Sequence, residues 1–269
     1  MRYETIRNLQ VPKIGFGCWL IGGQRTADPG TDAQSLQALR SALELGYTHF
    51  DTAEGYAAGH SEELVGQALR EQRVPRESVF LTTKVSPEHL AYHDVLDNCA
   101  GSLRRLGLEY IDLYLIHWPR AGMHLPDTFR ALNQLVREGK VRHLGVSNFD
   151  LDLLQQAVAL SETPLLNNQV PYSIPVRTYQ ANGVLAYCQQ HDILLTGYSP
   201  VKHSQLDELP ALQAIARARG VTPRQVALAW LTSQPRVISI PQSFNPQHQA
   251  ENIHAADLLL TPAEMEQLA

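Results

Sequence analysis

A rhythm narrows the fold of this chain more than any single residue does. Short β-prone runs alternate with stretches of helical periodicity, from Lys13 almost to the end of the sequence. The β-prone runs are 13–17, 48–51, 79–83, 111–116, 143–146, 165–169, 194–198 and 237–240. Between and after them lie helical patterns at 32–45, 61–70, 92–106, 127–138, 151–160, 181–191, 209–219 and 223–233, then a last helical stretch from Pro246 onward. Leu36, Leu39 and Leu43 share one face of the first, and Gly139 stops the fourth. Alternating β and α units build a parallel sheet, because parallel neighbours need a crossover connection. Eight such units in a 269-residue chain match the size of an α/β protein of the (β/α)8 TIM-barrel type, with a doubly wound open sheet as the alternative. Residues 3–11, turning at Asn8, form a short N-terminal β-hairpin ahead of it. No linker or shift of composition divides residues 1–269, so a single barrel domain is expected.

Composition excludes several classes of function. Hydrophobic residues make up 44% of the chain, enough for a sizeable core. A net charge of -5 is the opposite of a nucleic-acid footprint. No apolar run is long enough to span a membrane, and Met1-Arg2-Tyr3-Glu4 is not followed by the apolar core of a secretory signal. Cys18, Cys99 and Cys188 are odd in number and far apart, which points to reduced thiols rather than a disulfide or zinc framework. A cytoplasmic protein is expected.

The strand ends carry the chemistry. Asp51 ends the second β-prone run, Lys84 follows the third and His117 follows the fourth. Their even spacing places them at one height around the C-terminal rim, where barrel active sites sit. Tyr56 lies on the loop just beyond Asp51, with Gly55 as the expected pivot. Taken singly, an acid or a lysine at a strand end is usually solvated or a helix cap, and a histidine there is usually a bonded core residue. Their agreement in register is what argues for a site. A nearby ammonium lowers the pKa of a phenol, a carboxylate holds that ammonium, and a neutral histidine can orient a substrate oxygen. Together the four would polarise a carbonyl and protonate it. The lysine cation disfavours a metal at Asp51 and His117. Ser147, Asn148 and Gln169 end the next runs and suit a carboxamide, while Tyr198 offers a face for stacking. The alternative for Ser147-Asn148 is an N-cap of the following helix. There is no Gly-x-Gly-x-x-Gly fingerprint of a Rossmann site.

Through nearly its whole length the chain resembles the aldo-keto reductase superfamily. The resemblance rests on Asp51-Thr52-Ala53 with Tyr56, Lys84, His117-Trp118-Pro119, Gly139-Lys140, Gly145-Val146-Ser147-Asn148-Phe149, Gln169, Tyr198-Ser199-Pro200 and Glu251-Asn252. It implies NAD(P)H-dependent reduction of aldehydes or ketones, with a catalytic tetrad of Asp51, Tyr56, Lys84 and His117 and with Tyr56 as general acid. It implies NADPH as cofactor, with NADH admitted, held by Ser147, Asn148, Gln169 and Tyr198. The diphosphate would lie along the loop from Ser199, and Glu251 and Asn252 would meet the adenine. Trp19, Tyr56, His117 and Trp118 would line the substrate pocket.

Two departures matter. Relatives often carry a lysine and an arginine against the extra phosphate of NADPH, where this chain has Gln242 and His248 beside a retained Ser243. The segments after His117 and at the C-terminus are also short, which implies an open pocket. A monomer is expected, with no metal, nucleic-acid or membrane partner. The competing classes are a cofactor-binding regulatory protein with slow turnover, like potassium-channel β-subunits, and a metal-dependent barrel hydrolase.

Overall fold

The computed structural model describes residues 1–201, 206 and 208–269. Strands β1 (Tyr3–Ile6) and β2 (Leu9–Pro12) form the expected hairpin, with Tyr3 opposite Pro12 and Ile6 opposite Leu9. Arg7, at φ 53°, supplies a left-handed turn residue.

Eight parallel strands follow: β3 (Phe16–Gly17), β4 (His49–Asp51), β5 (Phe80–Val85), β6 (Ile111–Ile116), β7 (Val141–Ser147), β8 (Asn167–Pro171), β9 (Leu194–Tyr198) and β10 (Val237–Ser239). Each pairs with its sequence neighbour. The last also meets the first, through a parallel bridge between Ile14 and Ser239. Gly15 N donates to Ser239 O at 2.8 Å, Ser239 N donates to Lys13 O at 2.9 Å and Gly17 N donates to Pro241 O at 3.1 Å. Those bonds leave the sheet without a free edge, which decides for the barrel over the open sheet.

The helices outside it are α1 (Asp32–Glu44), α2 (His60–Glu71), α3 (Tyr92–Leu106), α4 (Leu125–Arg137), α5 (Leu151–Leu160), α6 (Thr178–Ala181), α7 (Val184–Gln190), α8 (Pro210–Arg219), α9 (Pro223–Ser233), α10 (Pro246–Ala255) and α11 (Pro262–Gln267). Two predicted helices are split. The pattern at 181–191 continues an earlier turn and breaks at Asn182-Gly183. The stretch from Pro246 divides because Thr261 and Glu264 close a capping box that starts α11 afresh. Strand β5 runs to Val85, so Lys84 stands inside a strand rather than after it.

Alternation along the strands sorts the core into two parts. Outward residues such as Phe16, Phe50, Tyr114 and Val146 pack with the helices. A second buried cluster joins Leu113, Leu115, Leu166, Leu194 and Ile238 to Ile6 and Val11 of the hairpin. The hairpin therefore plugs the N-terminal end of the barrel, and the polar ends of the strands are left at the other end.

One polar clamp ties α1 to α2. His60 Nε2 lies 2.8 Å from Asp32 Oδ1, and His60 Nδ1 lies 2.7 Å from Glu63 Oε2. Burial works against the imidazolium, but Glu63 and Asp32 outweigh it and raise the pKa above the usual histidine value. A raised pKa contributes stability that is fully present below the unfolded value near 6.5 and is lost as pH rises through the folded value. The melting temperature should therefore fall between pH 6 and pH 8 by a component that His60→Gln removes. An identical pH slope in wild type and variant would contradict this.

Candidate active site

Inward-facing residues at the open end of the barrel converge on one buried cation. Lys84 is 0% exposed and Asp51 is 1% exposed. Lys84 Nζ donates to Asp51 Oδ1 at 2.5 Å, to Thr52 O at 2.7 Å and to Tyr56 Oη at 3.3 Å. Gln169 Nε2 donates to Asp51 Oδ2 at 2.7 Å, so both carboxylate oxygens are engaged. Burial disfavours the ammonium, but Asp51 and Tyr56 more than compensate, and the Lys84 pKa lies above its ordinary value. The group is a fixed charge at any physiological pH.

The predicted equal height of the three strand residues is corrected by the register. Asp51 pairs with Thr82, not Lys84, and Lys84 pairs with Leu115, not His117. Each site residue stands two positions beyond the partner of the one before. In a barrel of this shear a level line advances about one residue per strand, so the three climb towards the mouth. Asp51 and Lys84 are buried, whereas His117 is partly exposed.

Tyr56 reaches the group by a turn of unusual backbone. The expected pivot, Gly55, has an ordinary φ of -77°. The reversal is made instead by Ala57 (φ 51°), Ala58 (φ 54°) and Gly59 (φ 93°). Left-handed alanines cost roughly 1–2 kcal/mol each. Bonds from Ala57 N to Gln24 O at 2.7 Å and between Thr52 Oγ1 and Ser61 Oγ at 3.0 Å hold the turn closed.

The sequence argument for a lowered tyrosine pKa is also only half right. Burial raises the Tyr56 pKa, Lys84 pulls it down and Asp51 adds to the rise, and the result lies above the ordinary phenol value. Tyr56 is therefore a neutral phenol in this state, with its proton in place. His117 stands edge-on to it, ring centroids 5.5 Å apart, and Trp19 does the same at 5.0 Å. Burial and the neighbouring Lys84 lower the His117 pKa to about 3, so its imidazole is neutral. Trp19 and Trp118 are 41% and 46% exposed, at the positions flanking the mouth.

The predicted amide residues form one chain of hydrogen bonds. Tyr198 Oη donates to Asn148 Oδ1 at 3.0 Å, and Asn148 Nδ2 donates to Ser147 Oγ at 2.9 Å and to His117 O at 3.1 Å. Ser147 Oγ donates to Gln169 O at 2.8 Å. Asn148, at φ 63°, is not a cap; Asp150 caps α5 by accepting from Leu153 N at 2.9 Å. Ser199, at φ 51°, begins the expected diphosphate segment, part of which lies outside the described residues. Beyond β10, Gln242 has a buried Nε2 without a partner, Ser243 Oγ accepts from Asn245 N at 3.0 Å, and Gln247 Nε2 donates to Glu251 Oε1 at 3.0 Å. His248 is exposed on α10, and Asn252 of the same helix is buried. Gln242 and Ser243 lie on the segment leading into α10, and His248, Glu251 and Asn252 lie on its first two turns, beside an electropositive helix end. A buried amide donor beside such an end suits an anionic cofactor. Among the described residues no cluster of metal-ligating side chains occurs.

Two participants escaped sequence reasoning. Thr52 contributes a backbone carbonyl, which no side-chain pattern reveals. Glu54 is a buried acid in the same turn, whose only trace was a charged residue between Ala53 and Gly55.

Comparison with known proteins identifies the family and agrees with the barrel fold. The sequence profile of the Aldo/keto reductase family matches residues 13–269. The chain is 34% identical over 267 residues to methylglyoxal reductase YeaE of Escherichia coli, covering 97% of this chain and 91% of that protein. It is similar to the crystal structure of the thermostable aldo-keto reductase Tm1743 bound to the inhibitor epalrestat, with a TM-score of 0.95, 38% identity and coverage of 100% and 98% of the two chains. It is also similar to an aldo/keto reductase of Klebsiella pneumoniae in complex with NADP and acetate, with a TM-score of 0.88, 35% identity and coverage of 100% and 94%.

A neutral His117 has a direct signature. Its imidazole resonances should show no titration between pH 5 and pH 8 in an NMR experiment, with assignment by His117→Gln. A midpoint near the ordinary histidine value would refute the electrostatic account.

Proposed function

The chain belongs to the aldo/keto reductase family, NAD(P)H-dependent oxidoreductases, and we propose that it reduces small or aromatic aldehydes and ketones to alcohols with Tyr56 as the proton donor. The observation that carries this reading is the neutral Tyr56 phenol 3.3 Å from the buried Lys84 ammonium, with a neutral His117 beside it. In the reduction the carbonyl carbon would gain a hydride, one proton with two electrons, and the carbonyl oxygen would take the proton from Tyr56 Oη. Lys84 stabilises the phenolate left behind, Asp51 keeps Lys84 in place, and His117 donates a hydrogen bond that orients the oxygen.

A nicotinamide cofactor supplies the hydride when bound. Ser147, Asn148 and Gln169 would hold its carboxamide, Tyr198 would stack on its ring, and the strand-end segment at Ser199 would approach the diphosphate. Gln242, Ser243 and His248 would meet the ribose phosphate, with Glu251 and Asn252 at the adenine. The relative from Klebsiella pneumoniae binds NADP, which supports NADPH as the natural partner. Trp19 and Trp118, exposed beside the mouth, would serve as pocket walls that impose little restriction on substrate size. That methylglyoxal reductase YeaE is so similar supports small aldehydes among the substrates.

Two experiments bear on this. NADPH oxidation with an aromatic aldehyde should be readily measured in the wild type, and Tyr56→Phe should lower kcat by about 10²–10⁴. A wild-type rate no higher than background would favour the cofactor-binding protein with slow turnover. Separately, Gln242 lacks the fixed charge that makes phosphate contacts strong. The preference for NADPH over NADH, measured as a ratio of dissociation constants, should stay below about a thousandfold, and a larger ratio would show that the neutral side chains discriminate on their own.

A further inference from the structure

Tyr56 stands on the turn after β4 and Lys84 near the end of β5, so their separation depends on how that turn rests on the end of β5 and the chain that follows it. The backbone joins these two segments by a bond of 2.8 Å from Thr52 N to Thr82 O, but beyond it only by a longer one of 3.3 Å from Glu54 N to Lys84 O. Past Thr52 the shorter tie is a side chain. Glu54 Oε1 accepts from Ser86 N at 2.7 Å and lies 2.8 Å from His89 Nδ1, which donates in its Nδ1–H tautomer. Ser86 is two residues from Lys84, and Glu54 is two residues from Tyr56. The Glu54 side chain is 5% exposed. The two turns also touch directly: a Cβ on Gly55 would lie 3.2 Å from Ser86 Oγ.

The two oxygens of this carboxylate are unequal. Both contacts fall on Oε1, and Oε2 is buried without a partner. Of the two partners of this carboxylate, His89 is a cation only if protonated, and the Ser86 N–H is neutral throughout. Through Oε1 the carboxylate accepts from the part-buried backbone N–H of Ser86 and from His89. The turn it holds continues into Pro87, Glu88, Leu90 and Ala91, which wall a cavity of about 410 Å³ with Arg120 and Met123.

We propose that Glu54 is a positioning residue for the reduction, holding the Tyr56 phenol within hydrogen-bond reach of Lys84 through the turn at Ser86 and His89, and that it does so as an acceptor rather than as a charge. The proposal rests on Tyr56 being the proton donor. Displacement of a reacting group by about 1 Å is enough to slow chemistry on the order of a hundredfold.

The test is steady-state carbonyl reduction by wild type, E54A, E54Q and E54D, with cofactor affinity from fluorescence titration and the solvent deuterium isotope effect on kcat. E54A should lower kcat by about ten- to a hundredfold, leave the cofactor dissociation constant within about threefold, and raise the solvent isotope effect, because proton transfer from a displaced phenol becomes slower. E54Q should recover to within about threefold of wild-type kcat, since its carbonyl oxygen replaces Oε1. E54D keeps the charge but withdraws the acceptor by one methylene, so it should behave like E54A, and it carries the test if E54A does not fold. Wild-type kcat in E54A or E54D, an unchanged isotope effect, or E54Q as slow as E54A would each overturn the proposal. Tyr56→Phe separates the two levels. If it retains wild-type kcat, the proton-donor assignment fails whatever Glu54 does. If it is inactive while E54A is unimpaired, only the role of Glu54 fails.

Discussion

A lysine with no exposed surface is expensive to fold around, and most of what is specific in this barrel follows from having one. Taking an ammonium and a carboxylate out of water costs more than their attraction returns unless other hydrogen bonds complete both groups. Here Lys84 finds Asp51, the carbonyl of Thr52 and the hydroxyl of Tyr56, and the second oxygen of Asp51 finds Gln169. These partners come from β4, the turn beyond it and β8, on opposite sides of the barrel mouth. The pair therefore couples distant strands, and neutralising either member would leave a buried charge facing hydrocarbon and idle donors.

That coupling also sorts the roles of the four polar residues. The buried pair supplies a steady field, with the Lys84 ammonium held charged by Asp51. Tyr56 and His117, nearer the opening, are kept uncharged by the same burial and, for His117, by the same cation. The neutral groups thus lie nearer the opening, and the charged ones lie behind them. A site with the order reversed would attract ions and water to the mouth and would stabilise no developing charge inside.

How much of this was legible in the residues depended on the kind of signal. Periodicity carried the element order, and the polar ends of strands pointed to Asp51, Lys84 and His117 as a group. Boundaries were less clear where capping rather than apolar spacing governs, as at Thr261 and at Asn182-Gly183. The depth of the site residues could not be read, because shear depends on how strands tilt once the sheet has closed. The sign of the Tyr56 shift was misjudged for a related reason: proximity to Lys84 follows from spacing, whereas the degree of burial is a property of the assembled fold. Ala57 and Ala58 hid the turn, since nothing in an alanine announces a left-handed backbone. The engagement of Gln169 with Asp51 was similarly invisible, as the two are separated by 118 residues.

The hairpin at the N-terminus has a consequence for traffic. With Ile6 and Val11 seated against Leu113, Leu194 and Ile238, the far end of the barrel is sealed by hydrocarbon. If cofactor and substrate meet over Tyr56 as proposed, they must share a single doorway. Whichever lies deeper has to enter first and can leave only after the other has gone, so the sequence of arrivals and departures is imposed by a plug of apolar side chains at the opposite pole of the molecule.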